Sequence, residues 1–479
     1  MNHLKRFFKV LSGFLEPGNT TILTHVLFNN VGLKKCFYKK KINIGLSLIT
    51  YLFLISFLFA QHNNNGLNHW EIPSVNPDRI ILTFHGNPAT SRAVTWRTDA
   101  QIVKGVAQIA MSTINSNFKK NVSTYQSTTE SFELGKYKGN KPLIVNYHSV
   151  VFKGLKPNTQ YLYRVGDGKK YWSEWIQFTT AKEKKGKTKF VYFGDAQNNV
   201  LSEWSRVIRK AYEMAPDASF VIHAGDLIND AHRDREWAEW YKAGGFIHSQ
   251  WTAIPVLGNH EFMPLNSKDD SRNTSIQWRP QFSLPVEETL NEKLHETVYT
   301  IDYQNVRVIV LNSNFNLTEQ TNYLEQKLKN SEDKWIIVTC HHSIFSPAKG
   351  RDFEYGRKNW KPLFDRYNVD LVLNGHDHSY ARGQVAEMDK VVKQEEINKT
   401  IYVTSVSGPK QYKQDSEQLK NYIKQGYQLD KSGNYVQFFQ VVTIDQNKLT
   451  YVAYTATGNE YDRFEIIKDF DTGEKLIND

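Results

Sequence analysis

Two cysteines in 479 residues, Cys36 and Cys340, exclude a disulfide framework. They flank an apolar segment and lie far apart in the chain, so they are not expected to meet. Export stays open, because a core of this size needs no covalent staple. Repeats and long low-complexity tracts are also missing, which excludes solenoid arrays and leaves packed globular domains. Excess charge is missing from the body as well. The formal net charge is +10, but residues 1–60 hold eight lysines and arginines against Glu16 alone, leaving about +3 for the rest. A body so nearly balanced implies no nucleic acid binding.

What is there begins with an N-terminal extension, residues 1–61. The basic run Lys39-Lys40-Lys41 precedes an apolar stretch that starts near Ile42 and ends at Ala60-Gln61. That order is a signal peptide pattern. The stretch nearly suffices to span a bilayer, and Leu58 is large for the position three before cleavage, so an anchor over residues 42–60 is the alternative. Both readings give an exported chain, periplasmic, secreted or cell-surface, with a membrane involved only if the segment stays uncleaved. No Cys directly follows the stretch, which argues against lipid attachment there.

Two domains are expected after the Asn-rich linker that follows Gln61. Over 68–181, short alternating strands form around Ile80–Phe84, Ala93–Arg97, His148–Phe152 and Tyr161–Val165, with Trp96 as a core anchor. Tyr161 follows a Gly154–Asn158 turn in the manner of a tyrosine corner, so an all-β fibronectin type III-like sandwich is expected. This region shows no cluster of chemistry-bearing residues. A charged stretch, Ala181–Lys187, leads into a region of different texture, 187–465, where apolar strands alternate with amphipathic helices. Strands beyond residue 400 read as antiparallel additions to the sheets.

In that second region five apolar strands each run into a polar cluster: Gly194-Asp195, Gly225-Asp226, Gly258-Asn259-His260-Glu261, His341-His342 and Gly375-His376-Asp377-His378. Strand carboxyl ends form the ligand crevice of open α/β sheets, so these clusters could converge. Asp, Asn and His together offer the mixed oxygen and imidazole donors that hydrolytic divalent metals take, with Cys340 the sole thiol nearby. A two-metal site needs one bridging carboxylate. The glycines fit sharp turns where backbone passes close to ligands. Each Asp, Asn or His taken singly could equally be an ordinary turn residue. The ordered set argues against that reading.

The blocks resemble the calcineurin-like metallophosphoesterases, and most closely the purple acid phosphatase branch, with its D-x-G, G-D-x-x-Y, G-N-H-E, V-x-x-H and G-H-x-H series over about residues 68–465. The resemblance implies an αββα layered catalytic domain behind the β sandwich. It implies that Asp195, Asp226 and His378 hold one metal and that Asn259, His341 and His376 hold a second, with Asp226 bridging. His260 would face the leaving group and donate a proton while metal-activated water attacks phosphorus in line. Two departures stand out. Asn229 replaces the tyrosine that gives the purple enzymes their Fe(III) colour, which favours a colourless pair of divalent or mixed-valence ions (Fe, Zn or Mn) and leaves Asn229 as a weak ligand or a water position. Gln197 replaces the glycine of the first block and is assigned no role by the resemblance, though it could face substrate.

Around these, His342 reads as a substrate contact or a mere neighbour of His341, and Arg382 as a phosphate clamp or a structural ion pair. Glu261 is expected to orient His260 or a ligand. His223, Cys340, Trp237 and Trp240 read as packing residues. Loops 263–285 and 345–362 are expected to rim the site. The expected function is an exported acid phosphatase acting on small-molecule phosphate monoesters. A phosphodiesterase or nucleotide hydrolase on the same metals is the enzymatic rival, and a surface-binding protein with a degenerate site is the non-enzymatic one.

Overall fold

A computed structural model describes residues 68–134, 143–266, 269–331, 333–385 and 400–479. The N-terminal extension, with its apolar stretch and Cys36, lies outside the described residues. No described helix is long and apolar enough to cross a membrane.

Two sheets stack face to face and build the catalytic region. At the centre of the first, Thr188–Phe193, Phe220–His223 and Thr252–Pro255 run parallel. The antiparallel strands Phe438–Asp445, Lys448–Thr455, Glu460–Lys468 and Lys475–Asn478 extend one side. The second sheet centres on the parallel strands Val306–Val310, Trp335–Thr339, Leu371–Asn374 and Ile401–Thr404. These strands are buried along their whole length, as expected for parallel strands covered on both faces.

The period of two in their sequences divides the core into layers. Val308, Ile337, Leu371 and Leu373 face the first sheet and share a core with Phe190, Phe220 and Ile254. Their neighbours Ile309, Ile336, Val338 and Val372 face the other way. There they meet Tyr323, Leu324 and Leu328 of the helix Leu317–Lys329, and Leu363 and Phe364 of Lys361–Arg366. Outside the first sheet lies the helix Ser205–Met214, opened by a π turn over Val200–Trp204, with Asp234–Gly244 beside it. Val207, Ile208 and Ala211 supply its buried stripe at helical spacing. The result is the αββα arrangement.

The N-terminal region is a β sandwich, with Trp96, Tyr161, Tyr163 and Val165 in its core. The Lys156 N–H donates to the Tyr161 hydroxyl at 2.8 Å, which closes the tyrosine corner. One sheet of this sandwich is not separate from the catalytic region. Asp78–Thr83 pairs in parallel with Thr252–Pro255, so the sandwich strands continue the first catalytic sheet. The Tyr163 hydroxyl also donates to the Ser249 carbonyl at 2.6 Å. The strands beyond residue 400 depart from the antiparallel expectation at one place. Ile401–Thr404 runs parallel to Leu371–Asn374, and only its other neighbour, Tyr380–Val385, is antiparallel.

Candidate metal centre

Five parallel strands deliver their carboxyl ends to one seam between the two sheets. Asp195, Asp226 and Asn259 follow strands of the first sheet, and His341, His376 and His378 follow strands of the second. Asp226, His341 and His376 form one group whose donor atoms lie within 4.8 Å of one another, and Asp195, Asp226 and His378 form another. Asp226 belongs to both. Its Oδ1 stands 3.2 Å from His341 Nε2, while Oδ2 faces Gln197. Asn259 joins the first group, with its Oδ1 at 3.1 Å from His341 Nε2 and 2.9 Å from His376 Nδ1.

The loops are built so that backbone can crowd these donors. A Cβ on Gly258 would stand 2.2 Å from the Asp226 amide nitrogen, and one on Gly375 would stand 2.2 Å from Asp195 Oδ1. Asp226, His376 and His378 all have positive φ, at 50°, 74° and 49°. Three left-handed non-glycine residues among six donors mark strain held at a site of function. Glu261 offsets part of it by accepting the Asp226 and Gly258 N–H groups, both at 2.9 Å, and that of Ile228 at 3.2 Å. Glu261 therefore orients the ligand loops.

The hydrogen bonds behind the imidazoles fix which nitrogens face inward. His341 Nδ1 lies 2.9 Å from the Ala224 carbonyl and His378 Nδ1 lies 2.9 Å from that of Lys410. A carbonyl only accepts, so each Nδ1 carries its hydrogen and each Nε2 turns inward. His378 Nε2 then stands 3.2 Å from Asp195 Oδ2, an oxygen with no hydrogen-bond partner. Burial lowers the His378 pKa, so a lone pair faces a carboxylate there. At His341 burial opposes charge, yet Asp226 and Asp195 raise its pKa to about 9. The pocket thus calls for positive charge on both sides of Asp226, and its oxygen and imidazole donors fit a pair of divalent ions.

The remaining predicted residues fall around this centre. His260 is partly exposed, with its Nδ1 bonded to the Asn229 carbonyl at 2.6 Å and its Nε2 at 3.9 Å from Asp226 Oδ2. Asn229 turns its amide oxygen to Asn198 Nδ2 at 3.0 Å. His342 lies against His376 with ring centroids 4.1 Å apart, held by Ser313 Oγ at 2.7 Å; burial lowers its pKa to about 3. Arg382 is corrected. Of its two readings the phosphate clamp fails, because the guanidinium is buried against Asp462 at 2.8 Å, Asp479 at 2.8 Å and Asp430 at 3.4 Å. His223, Trp237 and Trp240 are packed in the core, and Cys340 is a buried thiol whose pKa burial pushes up to about 12.

Sequence reading missed Arg351. Its Nη2 reaches His376 Nδ1 at 3.1 Å, its Nε lies 3.4 Å from Asp377 Oδ1, and its guanidinium covers the Tyr412 ring. The only signal was its place in the rim loop 345–362.

This layered fold, with a carboxylate shared between two donor groups, is the arrangement expected of a metallophosphoesterase. Residues 188–380 match the calcineurin-like phosphoesterase family, and residues 77–180 match the purple acid phosphatase N-terminal domain. An uncharacterised protein of Mycobacterium tuberculosis is 28% identical over 343 residues, covering 63% of this chain and 61% of its own. The chain thus spans about three-fifths of that relative's length. Purple acid phosphatase 23 of Arabidopsis thaliana is 26% identical over 362 residues, covering 64% of this chain and 74% of its own. Other relatives from that plant are named probable inactive purple acid phosphatases. The purple acid phosphatase PPD1 from yellow lupin seeds superposes with a TM-score of 0.68 at 19% identity, over 83% of this chain and 75% of its own. The chain is a purple acid phosphatase-like member of the calcineurin-like metallophosphoesterases.

Proposed function

We propose that this chain hydrolyses phosphate monoesters of small molecules on a pair of metal ions, as an acid phosphatase working outside the cytoplasm. The observation that carries the reading is the shared carboxylate of Asp226, which belongs to two groups of oxygen and imidazole donors, the donor atoms of each lying within 4.8 Å of one another. Asp195, Asp226 and His378 would hold one ion, and Asp226, Asn259, His341 and His376 the other. Such a pair supplies Lewis acidity for the phosphoryl oxygens and acidifies coordinated water. The complete donor set supports an active enzyme over a retained scaffold. Export rests on the apolar stretch over residues 42–60.

The protein's own groups divide the remaining work. His260 keeps a hydrogen on Nδ1 for the Asn229 carbonyl, which leaves Nε2 to carry a proton to the leaving oxygen. Arg351 places a cation beside the centre, where it can bind a dianionic phosphoryl group. His342 holds the His376 ring from behind and is a further candidate to touch substrate.

The test compares hydrolysis of p-nitrophenyl phosphate with that of its bis-ester, using the chain loaded with Mn, Zn or Fe(II). A marked monoester preference supports the reading. Diester preference moves the function to a phosphodiesterase, and absence of turnover on both, with metal bound, contradicts it.

A further inference from the structure

Gln197 stands inside the donor cluster, although the family resemblance assigns it no role. It is fully buried, and its backbone N–H donates to the Asp226 carbonyl at 3.0 Å, which fixes where the side chain starts. Its Nε2 lies 2.7 Å from Asp226 Oδ2 and 3.1 Å from His378 Nε2. These are the inward atoms of the group that Asp195 completes. The other end of the amide, Oε1, is buried without a hydrogen-bond partner.

The two ends of the amide suit different neighbours. The amide NH2 is a donor, and here it supplies the hydrogens that Asp226 Oδ2 and the His378 lone pair require. A cation among those acceptors repels the NH2 group, whose nitrogen lone pair is delocalised and cannot ligate. A half-turn of the amide plane exchanges its two ends. It turns Oε1, the end without a hydrogen-bond partner, toward the cation.

We propose that Gln197 is a ligand of the first metal through Oε1, alongside Asp195, Asp226 and His378. The proposal rests on the two-metal reading above. It also accounts for Asn229, whose amide is turned to Asn198 and whose carbonyl holds His260. A neutral amide oxygen takes over the position that an anionic tyrosinate serves in the purple enzymes, so this first site favours a divalent ion over a trivalent one.

Cobalt(II) titration of the metal-stripped full chain tests this, read by stoichiometry, affinity and visible absorption. The wild type is expected to bind two ions. Gln197→Met keeps the volume and loses the oxygen; it should weaken one ion by about tenfold or more, leave the other unchanged and alter the absorption band. Gln197→Glu supplies a stronger oxygen donor and should bind at least as tightly as wild type. If Gln197→Met matches the wild type in affinity and spectrum, the proposal is overturned while the two-metal reading stands. If Gln197→Glu weakens binding, the amide acts as a donor to Asp226 and the proposal is again overturned; that sign decides even if the methionine variant does not fold. A wild-type chain that takes no cobalt overturns both.

Discussion

Asp195 Oδ2 and His378 Nε2 face each other at 3.2 Å with no hydrogen to share. The imidazole has spent its Nδ1 hydrogen on the Lys410 carbonyl, and burial keeps the ring neutral. Two acceptors at that distance repel unless a cation joins them. The fold forces this contact by bringing the ends of Thr188–Phe193 and Leu371–Asn374, from different sheets, to one seam.

His260→Ala should lower kcat by about 10²- to 10⁴-fold while both metals are retained, since its ring carries a proton and is not counted among the ligands. The loss should be larger for an alkyl phosphate than for p-nitrophenyl phosphate, whose leaving group needs no proton. Equal losses on the two substrates would contradict the assignment.

Arg382→Met should destabilise the fold by about 3–5 kcal/mol, because it strands the buried Asp462. KM for the monoester should stay at the wild-type value. A raised KM with unchanged denaturant midpoint would restore the phosphate-clamp reading.

The sandwich and the catalytic region should unfold as one unit, because they share a sheet through Asp78–Thr83 and Thr252–Pro255. Arg79 and Asp234 lock that junction as a buried bidentate pair, at 2.7 and 2.8 Å. Asp234→Asn leaves Arg79 without its carboxylate and should cost about 3–5 kcal/mol. Urea denaturation should still show a single transition, shifted to lower concentration. Two separated transitions in the wild type would contradict the account.

Acid should weaken the fold through histidines kept neutral. His148 is buried between Thr98 and Thr129 against the Trp96 ring, and burial lowers its pKa to about 4. An unfolded histidine takes its proton near pH 6.5. Between those values the unfolded chain binds more protons, so stability is full above about 6.5 and is lost as pH falls towards 4. Thermal melts of the metal-free chain at pH 5 and pH 7 should show this drop, and His148→Gln should reduce it. An identical drop in both proteins would contradict the argument.

Much of the catalytic half was legible because each ligand directly follows an apolar strand. Trp335–Thr339 and Leu371–Asn374 announce themselves by unbroken hydrophobic runs, and the glycines before Asp226, Asn259 and His376 mark backbone crowding that local sequence can signal. Partners set by distant chain were not legible. The three carboxylates around Arg382 come from residues 430, 462 and 479, and nothing near Arg382 signals them. The pairing of Asp78–Thr83 with Thr252–Pro255 joins segments with no common pattern. Arg351 sits in a loop without periodicity, where only the folded path brings it to His376. Gln197 stands where the family pattern has a glycine, and no local feature of the sequence signals its burial beside Asp226.

The most direct measurement is metal content and p-nitrophenyl phosphate turnover of the wild type and Asp226→Ala, purified without chelator. The account predicts two ions per wild-type chain, at most one in the variant, and turnover reduced by about 10³-fold or more, since the bridge serves both ions. An Asp226→Ala protein with wild-type turnover and unchanged metal content would contradict it.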